Sequence, residues 1–299
     1  MEKPKISIII PTYNRAKKIV GAIRSIQDQT YEDWELIIVD DGSSDNTCEI
    51  VEKVANSDRR IKFIRLEKNK GAQAARNRGI RAAKSEWIAF LDSDDQWLPQ
   101  SLDLRLKVAE RENVQIVHSQ ALVIYPGDKT ELYTLSPFSG WVHKEILSKD
   151  GPMFQCLLVK KAALEKIGYL DESLPSFQEW DTSIRLAKIF AFGFENSPTF
   201  IYDFRTTDAI SRNPIRTARG CEMVVRKHLK DMILYAGLET LWNHYDTIAH
   251  WYKMGNDQFD FFRCKLVCSM DRCVTPQFMK RFFLTTLAYT YRKAFRNKK

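Results

Sequence analysis

The chain has 299 residues, 44% of them apolar and 28% charged, and a formal net charge of +8. This balance is ordinary for a globular protein and excludes collagen-like, disulfide-scaffold and wholly disordered chains. The length allows two domains, or one α/β domain with appendages, around a large core. The positive charge suits an anionic partner such as nucleic acid, an acidic membrane surface or a phosphorylated small molecule.

The cysteines and the N-terminus bear on the compartment. The six cysteines are scattered without a CxxC pair, which is typical of reduced thiols. The apolar run Ile6 to Ile10 is too short for a secretory signal, and no stretch approaches the roughly 18 apolar residues of a membrane span. We therefore expect a cytoplasmic protein, with peripheral attachment to the inner face of the plasma membrane as an option.

The first third of the chain alternates strand and helix patterns. Short β-branched runs indicate strands buried on both faces, and apolar residues at helical spacing lie between them. The predicted order is strand 6–10, helix 15–29, strand 36–39, helix 43–54, strand 61–66, helix 72–83, strand 87–91, helix 99–111 and strand 114–124. Repeated βα units of this length favour an α/β fold with a mostly parallel sheet and helices on both faces.

The remainder of the chain is less regular and then helical. The middle predicts a strand at 154–159 and helices at 161–167 and 179–191. From about residue 217 the pattern is helical throughout, most clearly at 224–241 and 278–295. We divide the chain into an α/β half at 1–118, a less regular half at 119–215 and a basic helical extension at 216–299.

Ligands of parallel sheets bind beyond the carboxyl ends of the strands, so the residues after each predicted strand are the first candidates for a site. These turns read Pro11-Thr12-Tyr13-Asn14, Asp40-Asp41-Gly42-Ser43-Ser44-Asp45, Asn69-Lys70-Gly71 and Asp92-Ser93-Asp94-Asp95. In the last turn, carboxylates this close raise one another's pKa unless a cation joins them. Mg²⁺ or Mn²⁺ bridging a diphosphate would do so. A solvated acidic turn that caps the next helix is the alternative.

Taken together, the four turns resemble glycosyltransferase family 2, which has the nucleotide-sugar-binding GT-A fold. Ile6 to Asn14, Val39 to Asp45, Asn69 to Ile80 and Phe90 to Asp95 carry the resemblance. It is strong over about 5–118, weaker to about 205 and absent beyond. It implies an inverting transferase that uses a nucleotide-sugar donor and transfers by direct displacement. It also implies that 1–118 is the nucleotide-sugar-binding half and 119–215 the acceptor-binding half of a GT-A domain.

The resemblance also implies roles for residues of the first two turns. Pro11, Thr12 and Tyr13 match the turn that holds the nucleoside. Asp40 matches an acid that contacts the base or the ribose, and Asp41 follows it. We therefore expect all five in the nucleotide-sugar-binding site.

The third and fourth motifs complete the donor site in the same way. Arg76 matches the family's arginine near the nucleotide. Asp92 and Asp94 match the two acids of the Asp-x-Asp motif, with Ser93 between them. The resemblance makes Asp94 the more direct ligand of Mn²⁺ or Mg²⁺ and sets Asp92 nearer the ribose and the donor sugar.

The catalytic base is expected from the segment Phe177 to Leu186, which matches the family's acidic pair before a helix. This aligns Glu179 with the base. The sequence departs from the common pattern, because Gln178 replaces an acid and the base is Glu rather than Asp. Asp181 therefore competes for the role. The alternative is that both acids only favour the N-terminus of a helix.

Family analogy predicts transfer from a nucleotide-diphosphate sugar, UDP first, to a saccharide or lipid-linked saccharide of a bacterial cell-surface pathway. The basic, aromatic C-terminus after Asp271 suits an anionic membrane surface, or is an ordinary packing helix. A nucleotidyltransferase acting on sugar phosphates is the rival enzyme, although a glycine-rich phosphate loop is missing. A nucleic-acid-binding module is the rival of another class, but no nucleic-acid motif appears, so we expect no nucleic acid as partner.

Overall fold

The computed structural model describes residues 4–127, 129–133, 137–203 and 213–269. Its strands are β1 (Ile6–Thr12), β2 (Trp34–Asp40), β3 (Ile61–Arg65), β4 (Trp87–Phe90), β5 (Gln96–Trp97), β6 (Ile116–Ile124), β7 (Thr130–Tyr133), β8 (Leu158–Lys160) and β9 (Phe192–Asp203). The helices are α1 (Ile19–Gln27), α2 (Thr47–Ser57), α3 (Ala72–Ala82), α4 (Ser101–Glu112), α5 (His143–Ser148), α6 (Lys161–Lys166), α7 (Gln178–Ala187), α8 (Pro214–Lys227), α9 (Leu229–Asp231), α10 (Leu238–Met254) and α11 (Gln258–Ser269).

The first four strands form the parallel half of one sheet, in the order β3-β2-β1-β4. Buried apolar side chains of β1, β2 and β4 lie on both faces of the sheet, because helices cover it from both sides. The register of β1 and β2 pairs Thr12 with Asp40. The first two candidate turns therefore begin side by side at the carboxyl edge, and the predicted α/β, GT-A-like arrangement is confirmed.

Beyond β4 the sheet is mixed, so the expectation of a mostly parallel sheet holds only for its first half. β8 lies between β4 and β6 and is antiparallel to both, while β6 and β9 are parallel. The segment predicted as a strand at 154–159 forms a 3₁₀ turn (Phe154–Cys156) before β8. Antiparallel neighbours need no crossover helix, so the regular βα pattern of the first half stops here.

Two boundaries differ from the predictions for local reasons. The helix predicted to reach residue 191 ends at Ala187, and the long strand β9 begins at Phe192. The predicted helix 224–241 is interrupted, because α8 gives way to α9 and a π-helical turn (Met232–Ala236) that stops at Gly237, whose φ is +88°. Glycine adopts this left-handed backbone without steric cost.

The helical region after β9 shares a hydrophobic core with one face of the sheet. Side chains of α8, α10 and α11, among them Val224, Tyr245 and Cys264, belong to the same buried cluster as Phe90 and Trp180. None of the helices in the described ranges combines the length and apolar composition needed to cross a bilayer. The predicted helix 278–295 and the basic C-terminus lie outside the described residues.

Candidate active site

The acidic turn follows β4 directly at the carboxyl edge of the sheet. The Asp95 N–H donates to the Asp92 carbonyl over 3.2 Å, and Ser93 is buried inside the turn. Burial, together with the charges of Asp92 and Asp94, raises the pKa of Asp95 well above its ordinary value. The turn thus places several carboxyl groups next to the end of β4, and a bound cation would reduce the repulsion between them.

Gln155 contacts this turn, although no local motif of the sequence points to it. Its side-chain Nε2 donates to Asp95 over 2.6 Å and to Asp92 over 2.9 Å. Its carbonyl accepts from the fully buried Arg105 guanidinium over 3.1 Å and from the Trp97 indole over 3.0 Å. The 3₁₀ turn that carries Gln155 is therefore held by α4 and β5.

Arg76 approaches the same turn from α3. It is buried, its Nη2 pairs with Asp92, and its guanidinium carbon lies 4.7 Å from the centre of the Phe154 ring. Its Nε has no hydrogen-bond partner among the described residues. A buried guanidinium with a spare N–H donor is suited to an anionic ligand, because unsatisfied donors are costly in the interior.

Asp94 faces two cations of the loop after β1. Arg15 Nε lies 3.6 Å and Lys18 Nζ 3.9 Å from its Oδ2. A cavity of about 450 Å³ opens beside this loop and is lined by Arg15 and Lys18, among other polar residues. The basic loop after β1 and the acidic turn after β4 therefore lie next to each other. Such a pairing of positive and negative groups is suited to an anionic ligand that binds together with a cation.

The donor chemistry of the turn fits Mg²⁺ or Mn²⁺. The carboxylates of Asp92 and Asp94 offer the hard oxygen ligands that these ions prefer. The described residues contain no group of three or more His, Cys, Asp or Glu side chains arranged to hold a metal ion. An ion here would complete its coordination with diphosphate oxygens and water, which is common for these ions.

The first turn lies beside the second. Pro11 and Thr12 are buried at the end of β1, and Tyr13 is 44% exposed. The Thr12 hydroxyl is buried and lacks a hydrogen-bond partner within the described ranges. Asn14 accepts from the Ser44 N–H over 2.9 Å, which ties the two turns together. The turn therefore offers an unused hydroxyl and an accessible aromatic ring.

The two acids of the second turn hold the backbone around them. Asp40 is fully buried and accepts from the Ser43 N–H over 3.0 Å and from the Cys48 thiol over 3.2 Å. The Asp41 carboxylate accepts from the N–H groups of Lys70 and Gly71, each over 2.7 Å. Asp41 thus joins the end of β2 to the loop that leads into α3 and Arg76.

Glu179 stands in the first turn of α7 and is half-buried. Burial raises its pKa, while its own backbone N–H and the charge of Arg76 oppose that rise, and the charges of Asp92 and Asp150 add to it. Trp180, the next residue on α7, belongs to the same buried cluster as Phe154, against which Arg76 lies, so α7 packs on the face of the sheet that carries Arg76. A carboxylate with a raised pKa is suited to accept a proton near neutral pH.

Asp181 lies in different surroundings. It is fully buried and accepts from Arg185, Lys227 and His228, each over 2.8 Å. Burial opposes its charged form, but the hydrogen bond from His228 and the charges of Arg185 and Lys227 hold its pKa below the ordinary value. Its oxygens are thus engaged by the protein.

Comparisons with known proteins agree with this geometry. Residues 7–166 match the family model described as glycosyl transferase family 2. Over 124 residues, the chain is 40% identical to the UDP-Glc:alpha-D-GlcNAc-diphosphoundecaprenol beta-1,3-glucosyltransferase WfgD of Escherichia coli. The aligned residues are 42% of this chain and 48% of that protein. The aligned part is likewise less than half of several other curated relatives.

Two solved structures share the fold. S. aureus TarS 1–349 in complex with UDP-GlcNAc has a TM-score of 0.64 at 17% identity, covering 88% of both chains. The mannosyltransferase PcManGT of Pyrobaculum calidifontis, in complex with GDP-Man and Mn²⁺, has a TM-score of 0.65 at 18% identity, covering 98% of this chain and 83% of that one. With the family match over more than half of the chain, the four turns and the parallel half-sheet lead to one conclusion: the chain belongs to glycosyltransferase family 2.

Proposed function

We propose that this chain is an inverting glycosyltransferase that moves a sugar from a nucleotide-diphosphate sugar to a hydroxyl of a saccharide or lipid-linked saccharide. The observation that carries the proposal is the buried Arg76 paired with Asp92 in the acidic turn at the carboxyl end of β4. This pair sets a cation and an acid suited to a diphosphate side by side, and Glu179, whose pKa is raised by burial, is the carboxyl suited to proton transfer. UDP is the first candidate nucleotide, since WfgD is named for UDP-Glc and TarS was solved with UDP-GlcNAc.

In the proposed reaction, Glu179 takes the proton of the acceptor hydroxyl, and the hydroxyl oxygen forms a bond to the anomeric carbon. The bond from that carbon to the diphosphate oxygen breaks on the opposite face, so the nucleoside diphosphate leaves and the configuration inverts. Arg76 donates to the charge that develops on the leaving group. The Thr12 hydroxyl and the Tyr13 ring would bind the nucleoside.

Asp94, with Asp92 beside it, would hold a divalent cation. When bound, this ion supplies Lewis-acid stabilisation of the departing diphosphate. PcManGT, which shares the fold, was solved with Mn²⁺. Asp40 and Asp41 would shape the donor site, Asp40 from inside the second turn and Asp41 through the loop that precedes Arg76.

For the acceptor and the location, the proposal follows the relatives. The name of WfgD includes a diphosphoundecaprenol acceptor. We propose a lipid-linked or polymeric saccharide acceptor of a bacterial cell surface, with the protein acting at the inner face of the plasma membrane. The basic C-terminus, which lies outside the described residues, would supply the contact with anionic lipid.

A donor screen tests the function. The purified protein is incubated with Mn²⁺, UDP-, GDP- and dTDP-sugars and saccharide or lipid-diphosphate acceptors, and the released nucleotide is identified. Acceptor-dependent release of a nucleoside diphosphate, abolished in Glu179→Gln, supports transfer. If the protein instead releases pyrophosphate when given a nucleoside triphosphate and a sugar phosphate, it is a nucleotidyltransferase and the proposal is wrong. Binding of duplex DNA with neither release would indicate a nucleic-acid-binding module.

A further inference from the structure

A buried charge cluster lies behind the helix that carries the proposed base. Asp181 is two residues after Glu179 on α7, and its carboxylate accepts from three side chains: Arg185 on α7, Lys227 at the end of α8, and His228 directly after it. All three donor–acceptor distances are 2.8 Å. The cluster therefore joins the base helix to the helical region that follows β9.

The same cluster holds the loop that leads into α7. Arg185 Nη1 donates to the carbonyls of Ile167 and Tyr169 over 2.8 and 2.6 Å. Lys227 donates to the Asp171 carboxylate as well, over 2.6 Å. Each cation of the cluster on α7 and α8 thus bonds both Asp181 and the segment between residues 167 and 171.

The segment between residues 167 and 171 is also bonded to α3, the helix that carries Arg76. Asn77, the next residue on α3, accepts from the Leu170 N–H over 3.0 Å and donates to the Leu170 carbonyl over 2.9 Å. It also donates to the Glu172 carboxylate over 2.7 Å. The helices that carry Arg76 and Glu179 are therefore both bonded to one loop, α3 through Asn77 and α7 through the charge cluster.

We propose that Asp181 is a positioning residue that, through Lys227 and His228, fixes α7, and with it the Glu179 carboxyl of its first turn, relative to the 167–171 segment and α3. The inference rests on the proposed function and assigns part of the active-site geometry to the helical region after β9. A displacement of about 1 Å in a catalytic group costs roughly 10²-fold in rate, even when the mutated residue is far from the chemistry. The nucleotide contacts come from the sheet edge and from α3, which packs directly on β1, so we expect them to survive the loss of Asp181.

The test compares Asp181→Asn and His228→Gln with the wild-type protein. We expect Asp181→Asn to lower kcat by about 10²-fold and His228→Gln to lower it by less, because Arg185 and Lys227 remain. The dissociation constant for the nucleoside diphosphate of the donor should stay unchanged in both variants. Hydrogen exchange of the α7 amides should speed up in both, whereas exchange in β1 and β2 should not.

Glu222→Gln is the matched control. Glu222 is also a buried acid, and it accepts from Arg226, Arg263 and Tyr252 within the helical region. It does not contact α7 through these bonds, so its loss should reduce stability without changing kcat in the folded protein. The double variant Glu179→Gln with Asp181→Asn should be no slower than Glu179→Gln alone, as expected for residues that act as a unit.

Several outcomes would overturn the inference. Wild-type kcat and α7 exchange in Asp181→Asn would do so, and so would a loss of nucleotide binding in proportion to activity. An active Glu179→Gln beside an inactive Asp181→Asn would make Asp181 the base. If the wild-type protein transfers no sugar from any donor, the proposed function fails, while the exchange of the α7 amides still decides whether Asp181 holds that helix.

Discussion

The amide nitrogen of Gln155 lies 2.6 Å from a carboxylate oxygen of Asp95 and bridges it to Asp92, which is 2.9 Å away. Because the Asp92 and Asp95 carboxyl groups share this one donor, their positions relative to each other are fixed. The bridging side chain comes from the 3₁₀ turn before β8, so the second half of the sheet helps to shape the donor-side acids.

Replacing Gln155 with Leu should weaken the site while leaving the fold intact. The change removes the two hydrogen bonds that hold Asp92 and Asp95 together, so we expect the affinity for the nucleoside diphosphate with Mn²⁺ to fall by roughly tenfold, which is about 1.4 kcal/mol. Isothermal titration calorimetry measures it. Gln29→Leu is the control, since that buried amide donates to the carbonyls of Ser25 and Leu98. Equal losses in both variants would contradict the prediction.

The pH profile of transfer should report the Glu179 carboxyl. Its pKa is raised above the ordinary value of 4.5, and a protonated carboxyl cannot accept the hydroxyl proton. As the pH falls through the raised pKa, kcat/KM should therefore fall, with a midpoint above 4.5. Glu179→Gln should lose this limb along with the activity. A limb with its midpoint at or below 4.5 would show that another group is titrating.

Asp94 should make nucleotide binding dependent on a divalent cation. The melting temperature of the wild-type protein should rise more with UDP and Mn²⁺ together than with UDP alone, or with GDP if that is the donor nucleotide. Asp94→Asn should erase the difference. Asp103→Asn removes a carboxylate that pairs with Lys107 on α4 and should keep the difference. An equal rise with and without Mn²⁺ in the wild-type protein would argue against the cation.

Gly79 should tolerate no side chain, because α3 lies against β1 there. A Cβ on Gly79 would stand 2.6 Å from Ile9 Cγ2. Gly79→Ala should lower the free energy of unfolding by about 1–3 kcal/mol through overpacking. In Gly21→Ala the new methyl group meets the end of the Gln96 side chain at 3.2 Å, and helix propensity favours alanine by about 1 kcal/mol. Urea denaturation of both variants measures the contrast, and equal effects would refute it.

Acid should destabilise the helical region through Glu222. Its pKa is held below the ordinary value because the bonds and charges of Arg263 and Arg226 outweigh burial. A carboxyl with a lowered folded pKa adds stability above its unfolded pKa, and that stability is lost as the pH falls through the folded value. The free energy of unfolding of Glu222→Gln should therefore depend less on pH below about 4.3. Parallel profiles for variant and wild type would contradict this.

The first half of the fold could be predicted from the sequence because its signals are local. β1, β2 and β4 contain the apolar runs 8–10, 36–39 and 87–90, and acids stand at the end of β2 and within two residues after β4. Strand order then brings Asp40 next to Thr12 without further information. Family resemblance supplied the roles of these residues, which remain predictions.

The second half depends on contacts between distant segments. β9 contains Gly193 and Pro198, and its register with β6 shifts at Ser119 and Gln120, so no period of two survives in its sequence. Gln155 meets the acidic turn 60 residues before it. Likewise, the sequence aligns Glu179 with the base but leaves Asp181 as a competitor, and only the fold brings Lys227 and His228 to the Asp181 carboxylate. Such pairings are not encoded within any single window of residues.

The core shared by the sheet and the helices after β9 has a consequence for recombination. Tyr245 and Ile248 of α10 are buried in the same apolar layer as Trp180 of α7. A chimera joined just after β9 would pack the helices of another protein against α7, whose buried surface fits Tyr245 and Ile248. Homologous enzymes should therefore exchange α7, β9 and the following helices as one inherited block, with the crossover point upstream of them.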